Sequence, residues 1–382
     1  MSGRLLFVLL LLGTGTASAT VARVESLQRD PFQTDETDVF RFPGVLPAYA
    51  DTLWLEFSPS PADGWAGAAF GQPWCFGATA HRRASWDDLA DLAELYGWTG
   101  SVPQTEPIVD LMLGYGSGGH GFGVVFGVAA GFESSMDVVG GTGTEATTNL
   151  AFDLTFGYST DVAGYRGDTG LTLSFKQVER EVGGSTVAES DPAPSFLLEH
   201  RSLIGPESGV RFGIDLLFTR RWYGLTGTGT GADASMARWL VRATLGPHAD
   251  LGANVVLSGG IAFGYEWLGG DVGGEEQDSL SGIMTPGLVA SLEAEVVSWL
   301  ILRAGIAYDL VLEKRISRLG GATQREIEGL RHGFSWSVGV GLRWDRFRFD
   351  SMVSPDLFFQ GPALIGGGTP GLFAQLSAAV EF

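Results

Sequence analysis

Apolar residues recur at every second position over long stretches of this chain. In residues 251–267 the odd positions are Leu251, Ala253, Val255, Leu257, Gly259, Ile261, Phe263, Tyr265 and Trp267. The even positions include Gly252, Asn254, Ser258, Gly260, Gly264 and Glu266. Successive side chains of a β-strand point to opposite faces, so this pattern predicts a strand with one apolar face and one small or polar face. The same design repeats. Residues 332–344 set Phe334, Trp336, Val338, Val340, Leu342 and Trp344 on one side. Residues 300–312 set Leu300, Leu302, Ala304, Ile306, Tyr308, Leu310 and Leu312 opposite Arg303 and Asp309. Residues 122–132 and 150–158 alternate likewise. These runs exceed the five or six residues usual for a soluble sandwich, and their polar face is rich in Gly and Ser. A tilted membrane strand needs about 9–11 residues, apolar toward lipid.

The connections alternate too. Short links fall at 344–346, 297–298, 246–250, 204–209 and 116–120, and longer polar, Gly-rich links at 269–281, 224–233, 183–193 and 134–146. Short turns at one end and long loops at the other predict an all-β, transmembrane, antiparallel up-and-down barrel of about 14 strands (12–16). Residues 51–57 are an extra candidate strand, lying in the lumen or raising the count to sixteen. Two pieces fall outside the repeat. Residues 85–96 read as a short loop helix, with Ser85 able to cap it and Asp87 and Asp88 in its first turn. Residues 20–50 are irregular and are expected to form a luminal plug or a periplasmic segment ahead of a barrel at 51–382.

The N-terminus sets the compartment. Arg4, the apolar run 5–12 and Ala17-Ser18-Ala19 have the form of a secretory signal peptide (1–19) cleaved near Ala19, so export is expected. Composition then narrows the class. The chain of 382 residues is 45% hydrophobic, with 57 Gly and 24 Phe, yet no apolar run after the signal peptide is long enough for a spanning helix. A net charge of −20 argues against nucleic acid as partner. The single cysteine, Cys75, forms no internal disulfide and reads as a packing residue.

Parity assigns the charges that would line the lumen. The acids are Asp110, Asp153, Glu199, Asp215, Glu293, Glu295, Asp309 and Asp350, and the bases are Lys176, Arg201, Arg211, Arg238, Arg242, Arg303, Arg343 and Arg348. The two sets balance, which fits either a bracing network in the wall or a polar lining that selects a solute. No metal spacing or cofactor fingerprint is evident, and the Gly-rich runs at 224–231 and 366–368 lack a Lys and read as loops. His200 and Ser202 are the one close His/Ser pair, without an evident third group, so no enzyme is expected, although a membrane hydrolase stays among the alternatives.

Leu372, Ala374, Leu376, Ala378, Val380 and Phe382 form one apolar face at the end of the sequence. This resembles the last strand of bacterial outer-membrane proteins. The resemblance implies a Gram-negative outer-membrane location, membrane lipid as surroundings, and the barrel-assembly machinery as a partner reading Val380 and Phe382. Residues 38–46 are similar to the Asn-Pro-Ala-Gly-Leu/Met segment near the start of long-chain fatty-acid-transporter-type barrels. Pro43, Gly44 and Leu46 carry that likeness, and Phe42 stands where that family has Asn. It implies a porin-like transporter with Phe42, Pro43, Gly44 and Leu46 in an N-terminal hatch. The leading expectation is a passive channel or transporter for small molecules, hydrophobic ones included. The alternative is a structural or adhesive barrel with a blocked lumen.

Overall fold

The computed structural model describes residues 21–57, 64–80, 106–136, 144–182, 185–191, 194–206, 209–227, 234–252, 254–272, 275–319, 322–353 and 373–382. The expected signal peptide and the expected helix at 85–96 lie outside the described residues. Seventeen strands follow a short helix, α1 (Val21–Ser26), and two 3-10 turns at Glu36–Phe40 and Pro43–Tyr49. The first nine are β1 (Thr52–Phe57), β2 (Trp65–Phe70), β3 (Trp74–Ala80), β4 (Glu106–Ser117), β5 (His120–Met136), β6 (Thr144–Val162), β7 (Tyr165–Val182), β8 (Ser185–Asp191) and β9 (Ser195–Ile204). The others are β10 (Val210–Gly227), β11 (Ala234–Asp250), β12 (Val255–Val272), β13 (Glu275–Val297), β14 (Leu300–Leu319), β15 (Ala322–Trp344), β16 (Phe347–Val353) and β17 (Phe373–Glu381).

Each strand pairs antiparallel with its neighbours, and β1 pairs with both β2 and β17, so the sheet closes on itself. The strands β8 and β9 share one position. Strand β7 pairs with β9 along 165–174 and with β8 along 179–182, and β10 does the same on the other side. The described residues therefore form a ring of sixteen staves, the top of the expected range. The doubtful stretch at 51–57 belongs to the wall.

The outward face is the apolar set that alternation picks out. Leu257, Ile261, Phe263 and Tyr265 on β12, Leu302, Ile306 and Leu312 on β14, and Phe334, Leu342 and Trp344 on β15 are all exposed. Eleven residues from Leu257 to Trp267, tilted as barrel strands are, rise about 26 Å, close to a hydrocarbon core. At the short-turn end Trp74, Trp299 and Trp344 stand exposed, as an aromatic girdle requires. The exposed Phe and Leu are thus placed in lipid.

Three connections differ from the expected ones, the first being the link expected at 183–193, most of which is strand β8 paired with β7 and β10. The turn expected at 246–250 falls after Asp250, because β11 runs on to Asp250 with Pro247 at a break in its ladder with β12, between Leu245 and His248, where a missing N–H is tolerated. The expected loop at 269–281 is instead mostly paired strand. The ladder of β12 and β13 continues to Val272 opposite Glu275, so polar, Gly-rich sequence here builds strand beyond the membrane rather than loop.

Candidate functional site

Residues 21–50 lie inside the barrel, and the wall receives them in two ways. On the side of β1–β5 the contact is apolar. Val39, Phe42, Val45 and Leu46 pack against Trp54, Trp65, Ala69, Cys75, Met112 and Val125 in one buried cluster. Phe40 meets Trp65 edge-on at 5.6 Å. Burying a side chain of this size contributes roughly 1.5–3 kcal/mol. At Pro43-Gly44 the plug comes down onto bare backbone. A Cβ on Gly44 would sit 2.6 Å from the Ser159 nitrogen and 2.8 Å from the Gly121 oxygen. No side chain fits there, which explains the glycine on the plug and the facing glycine on β5.

Around the rest of the ring the contact is polar. The Arg201 guanidinium, buried on β9, donates to Asp168 (2.7 Å), to Asp38 of the plug (2.9 Å), and to the carbonyl oxygens of Pro31 (3.3 Å) and Gln33 (3.0 Å). Its Nε also donates to Asp168 at 3.2 Å. That uses the five N–H groups an arginine has. The same group lies 4.8 Å over the Phe42 ring, so Arg201 joins the polar and apolar contacts. Arg41 pairs with Glu199. Asp30 accepts from Ser258 and from Ser291 (2.6 Å), and Gln33 donates to Ser258 at 3.1 Å. Ser337 donates to the Ser26 carbonyl at 2.9 Å, and Ser377 accepts from the Ala22 N–H at 3.1 Å.

The structure gathers part of the parity-assigned set into one network. Glu293 receives Arg23 of the plug at 2.6 Å and Arg303 at 2.6 Å, with Arg348 at 4.0 Å. Arg303 and Arg348 also reach Asp350, at 2.7 and 2.9 Å. Separate pairs join Glu295 to Arg343 (2.7 Å), Arg211 to Asp250 (2.9 Å), Arg238 to Glu266 (2.6 Å) and Arg242 to Asp215 (3.7 Å). Others stand apart. Asp110 accepts from Thr79 at 2.6 Å, Asp153 accepts from Ser174, and Lys176 is buried opposite Ala151. Asp309, on the inward parity of β14 opposite Gly333, is exposed, as are Arg331, Gly333 and Ser335 on β15. The lumen is therefore open above the plug on this side, and Arg29 of the plug faces it with its side chain 76% exposed.

Two plug carboxyls are held in unfavourable surroundings. Burial, then the neighbouring Asp38, pushes Asp35 up to about 6. Burial, then Asp35, pushes Glu36 well above the usual carboxylate range, and neither of its oxygens has a hydrogen-bond partner among the described residues. Sequence reasoning did not assign Arg23, Asp30, Gln33, Asp38 or Arg41 to the site. Their partners lie more than 150 residues away on the wall, and the one local signal was the run of acids from Asp30 to Asp38. His200 points outward and shares a 2.8 Å hydrogen bond with Thr169. Phe382 stands exposed past β17, its N–H donating to the Asp51 carbonyl at 2.9 Å, and Val380 pairs with Leu53 and Phe347.

Fold and site together define a transmembrane β-barrel with its own N-terminal segment seated in the lumen. No family model matches the sequence, and no curated protein matches it. Solved structures give distant likenesses. CdiB from Escherichia coli shares 13% identity at a TM-score of 0.44, over 87% of this chain and 62% of that one. A FadL homologue from Pseudomonas aeruginosa shares 14% at a TM-score of 0.42, over 98% of this chain and 99% of that one. The translocator domain of the autotransporter NalP from Neisseria meningitidis shares 11% at 0.34, over 70% of this chain and 90% of that one. The chain thus spans about three fifths of the length of the CdiB chain it resembles.

Proposed function

We propose that the chain is exported and inserted in a bacterial outer membrane, where it acts as a gated passive conduit for small molecules, with residues 21–50 as the gate. One observation carries this reading. The plug is seated by side chains and close backbone contact on every side, yet above it the lumen beside Asp309 and Gly333 is open to solvent. A plug under an open vestibule fits a passage better than a filled cylinder. Displacing the plug would bare an apolar strip (Trp54, Trp65, Met112, Val125) beside a charged one (Glu293, Arg303, Asp350), so a solute with an apolar body and a polar end suits the passage. The reading assigns no reaction, cofactor or metal to the barrel. Val380 and Phe382 serve assembly in it, not transport.

The test is bilayer conductance or liposome swelling with refolded protein. The full chain should pass little solute, and deletion of residues 20–50 should raise the flux. No permeation by either form would reject the conduit. The competing reading, a blocked structural barrel, draws on the fully buried Arg303–Asp350 pair, and it predicts a closed lumen even after the deletion.

A further inference from the structure

A cation on the lipid-facing surface of a membrane barrel needs an anion, and one here has none of its own among the described residues. Arg220 lies on the outward parity of β10, in register with Trp239 of β11, which in turn is in register with Trp267 of β12. These are aromatic positions at the end of the barrel away from the short turns. The Arg220 guanidinium sits 5.1 Å from the centre of the Trp239 ring. Phe218 flanks Trp239 at 5.9 Å, and Phe196 extends the row at 5.4 Å from Phe218. Among the described residues Arg220 forms no ion pair, and its Nε has no hydrogen-bond partner. The outward-facing Lys314 of β14 differs, since its own strand partners supply Glu326 at 2.5 Å and Glu328 at 3.9 Å. Arg220 is held over an indole, which positions its guanidinium without neutralising it. At that height the neighbour is the lipid headgroup layer, and a guanidinium matches a phosphate with two parallel hydrogen bonds.

We propose that Arg220, on its Trp239 platform, binds the headgroup phosphate of a glycolipid of the lipid A type in the extracellular leaflet. The inference rests on the outer-membrane placement proposed above. No covalent step is involved, only docking of one lipid.

The full chain refolded in detergent is titrated with diphosphoryl lipid A, with dephosphorylated lipid A and with phosphatidylglycerol, and bound lipid is counted by native mass spectrometry. The diphosphoryl form should bind most tightly. Arg220→Gln should weaken it about tenfold or more, because the neutral amide replaces two charge-assisted hydrogen bonds with at most one uncharged one, and bring it level with the dephosphorylated form. Arg220→Lys should recover part of the loss, and Lys314→Gln should change nothing. Equal binding by wild type and Arg220→Gln overturns the proposal, as does equal binding of phosphatidylglycerol, which would mark a general anion contact. Heat-modifiable gel mobility reports folding of each variant. A wild type that fails to enter vesicles counts against the membrane placement itself, whereas insertion without phosphate preference counts against this site alone.

Discussion

The two seats of the plug are built from opposite chemistry. Against β1–β5 the plug buries Phe42, Val45 and Leu46 on apolar wall and lays Pro43-Gly44 on backbone. Against β9 and β12–β17 it is held by Arg201, Glu293 and a set of serines. The difference teaches how each would let go. The apolar seat loses its contacts gradually, and its side chains carry no charge. The polar seat is all-or-none, because removing one partner strands a buried charge. A gate with one seat of each kind has a hinge side and a latch side, and the latch is where conditions act.

The largest effect should come from breaking the latch at its centre. Arg201→Ala leaves buried Asp38 and Asp168 with only the longer contacts to Arg41 (3.7 Å) and Arg166 (3.8 Å), a loss of up to about 3–5 kcal/mol. Limited proteolysis should then cut within residues 21–50 while the strands stay protected. An intact plug in that variant would show that the apolar seat suffices alone. Phe42→Ala attacks both seats, since the ring packs on Trp-lined wall and carries Arg201. It should destabilise by roughly 3–5 kcal/mol at most, read as a lower denaturant midpoint for plug protection. Gly44→Ala acts on the hinge side alone. The added methyl meets backbone at 2.6 Å and should cost about 1–3 kcal/mol, with a higher open fraction in single-channel records.

A smaller effect comes from pH, and it acts through two buried carboxyls of the plug itself. The seated plug holds Asp35 at about 6, above its usual range, so the seated form binds protons more readily than the free one. The share that Asp35 contributes to seating is then fully present below about pH 4 and is lost as pH rises from about 4 to about 6, and Glu36, shifted the same way, extends the loss to higher pH. Protease protection of the plug should be greater at pH 5 than at pH 7.5, and Asp35→Asn with Glu36→Gln should flatten that slope. Smallest of all, Arg29→Ala removes only the exposed pair with Glu25 and should shift stability by less than about 0.5 kcal/mol.

Much of the wall was legible in the sequence because lipid imposes a strict rule on it. Every second residue from Leu257 to Trp267 must be apolar, and the alternation survives in the linear order. The placement of β8 and β9 in one stave was not legible, since the polar stretch at 183–193 reads as a loop and not as a short strand. The expected loop at 269–281 was misread for a similar reason, as strands that rise above the membrane lose the lipid rule and carry loop-like sequence. Within the site, parity put Glu293, Arg303 and Asp350 on the inner face but could not pair them, because partners such as Glu293 and Arg23 are brought together only by closure of the ring. The plug residues Pro43 and Gly44 were visible by likeness alone. Their fit depends on Gly121 and Ser159, which no local pattern links to them.

One small feature of the seam reaches further than its size. Asp51 stands where the plug becomes the wall, with a positive φ of 61°, its side chain accepting from the Gly71 N–H at 3.1 Å and its carbonyl from Phe382 at 2.9 Å. The root of the plug is therefore fixed to the rim. An unseated plug would not diffuse away, but would remain a ligand on a leash, present at its own binding site at an effective concentration on the order of millimolar. Reclosure would be first order and independent of how much protein the membrane holds. The chain then carries its own blocker at a dose set by connectivity, and the two seats decide only what fraction of the time that dose is bound.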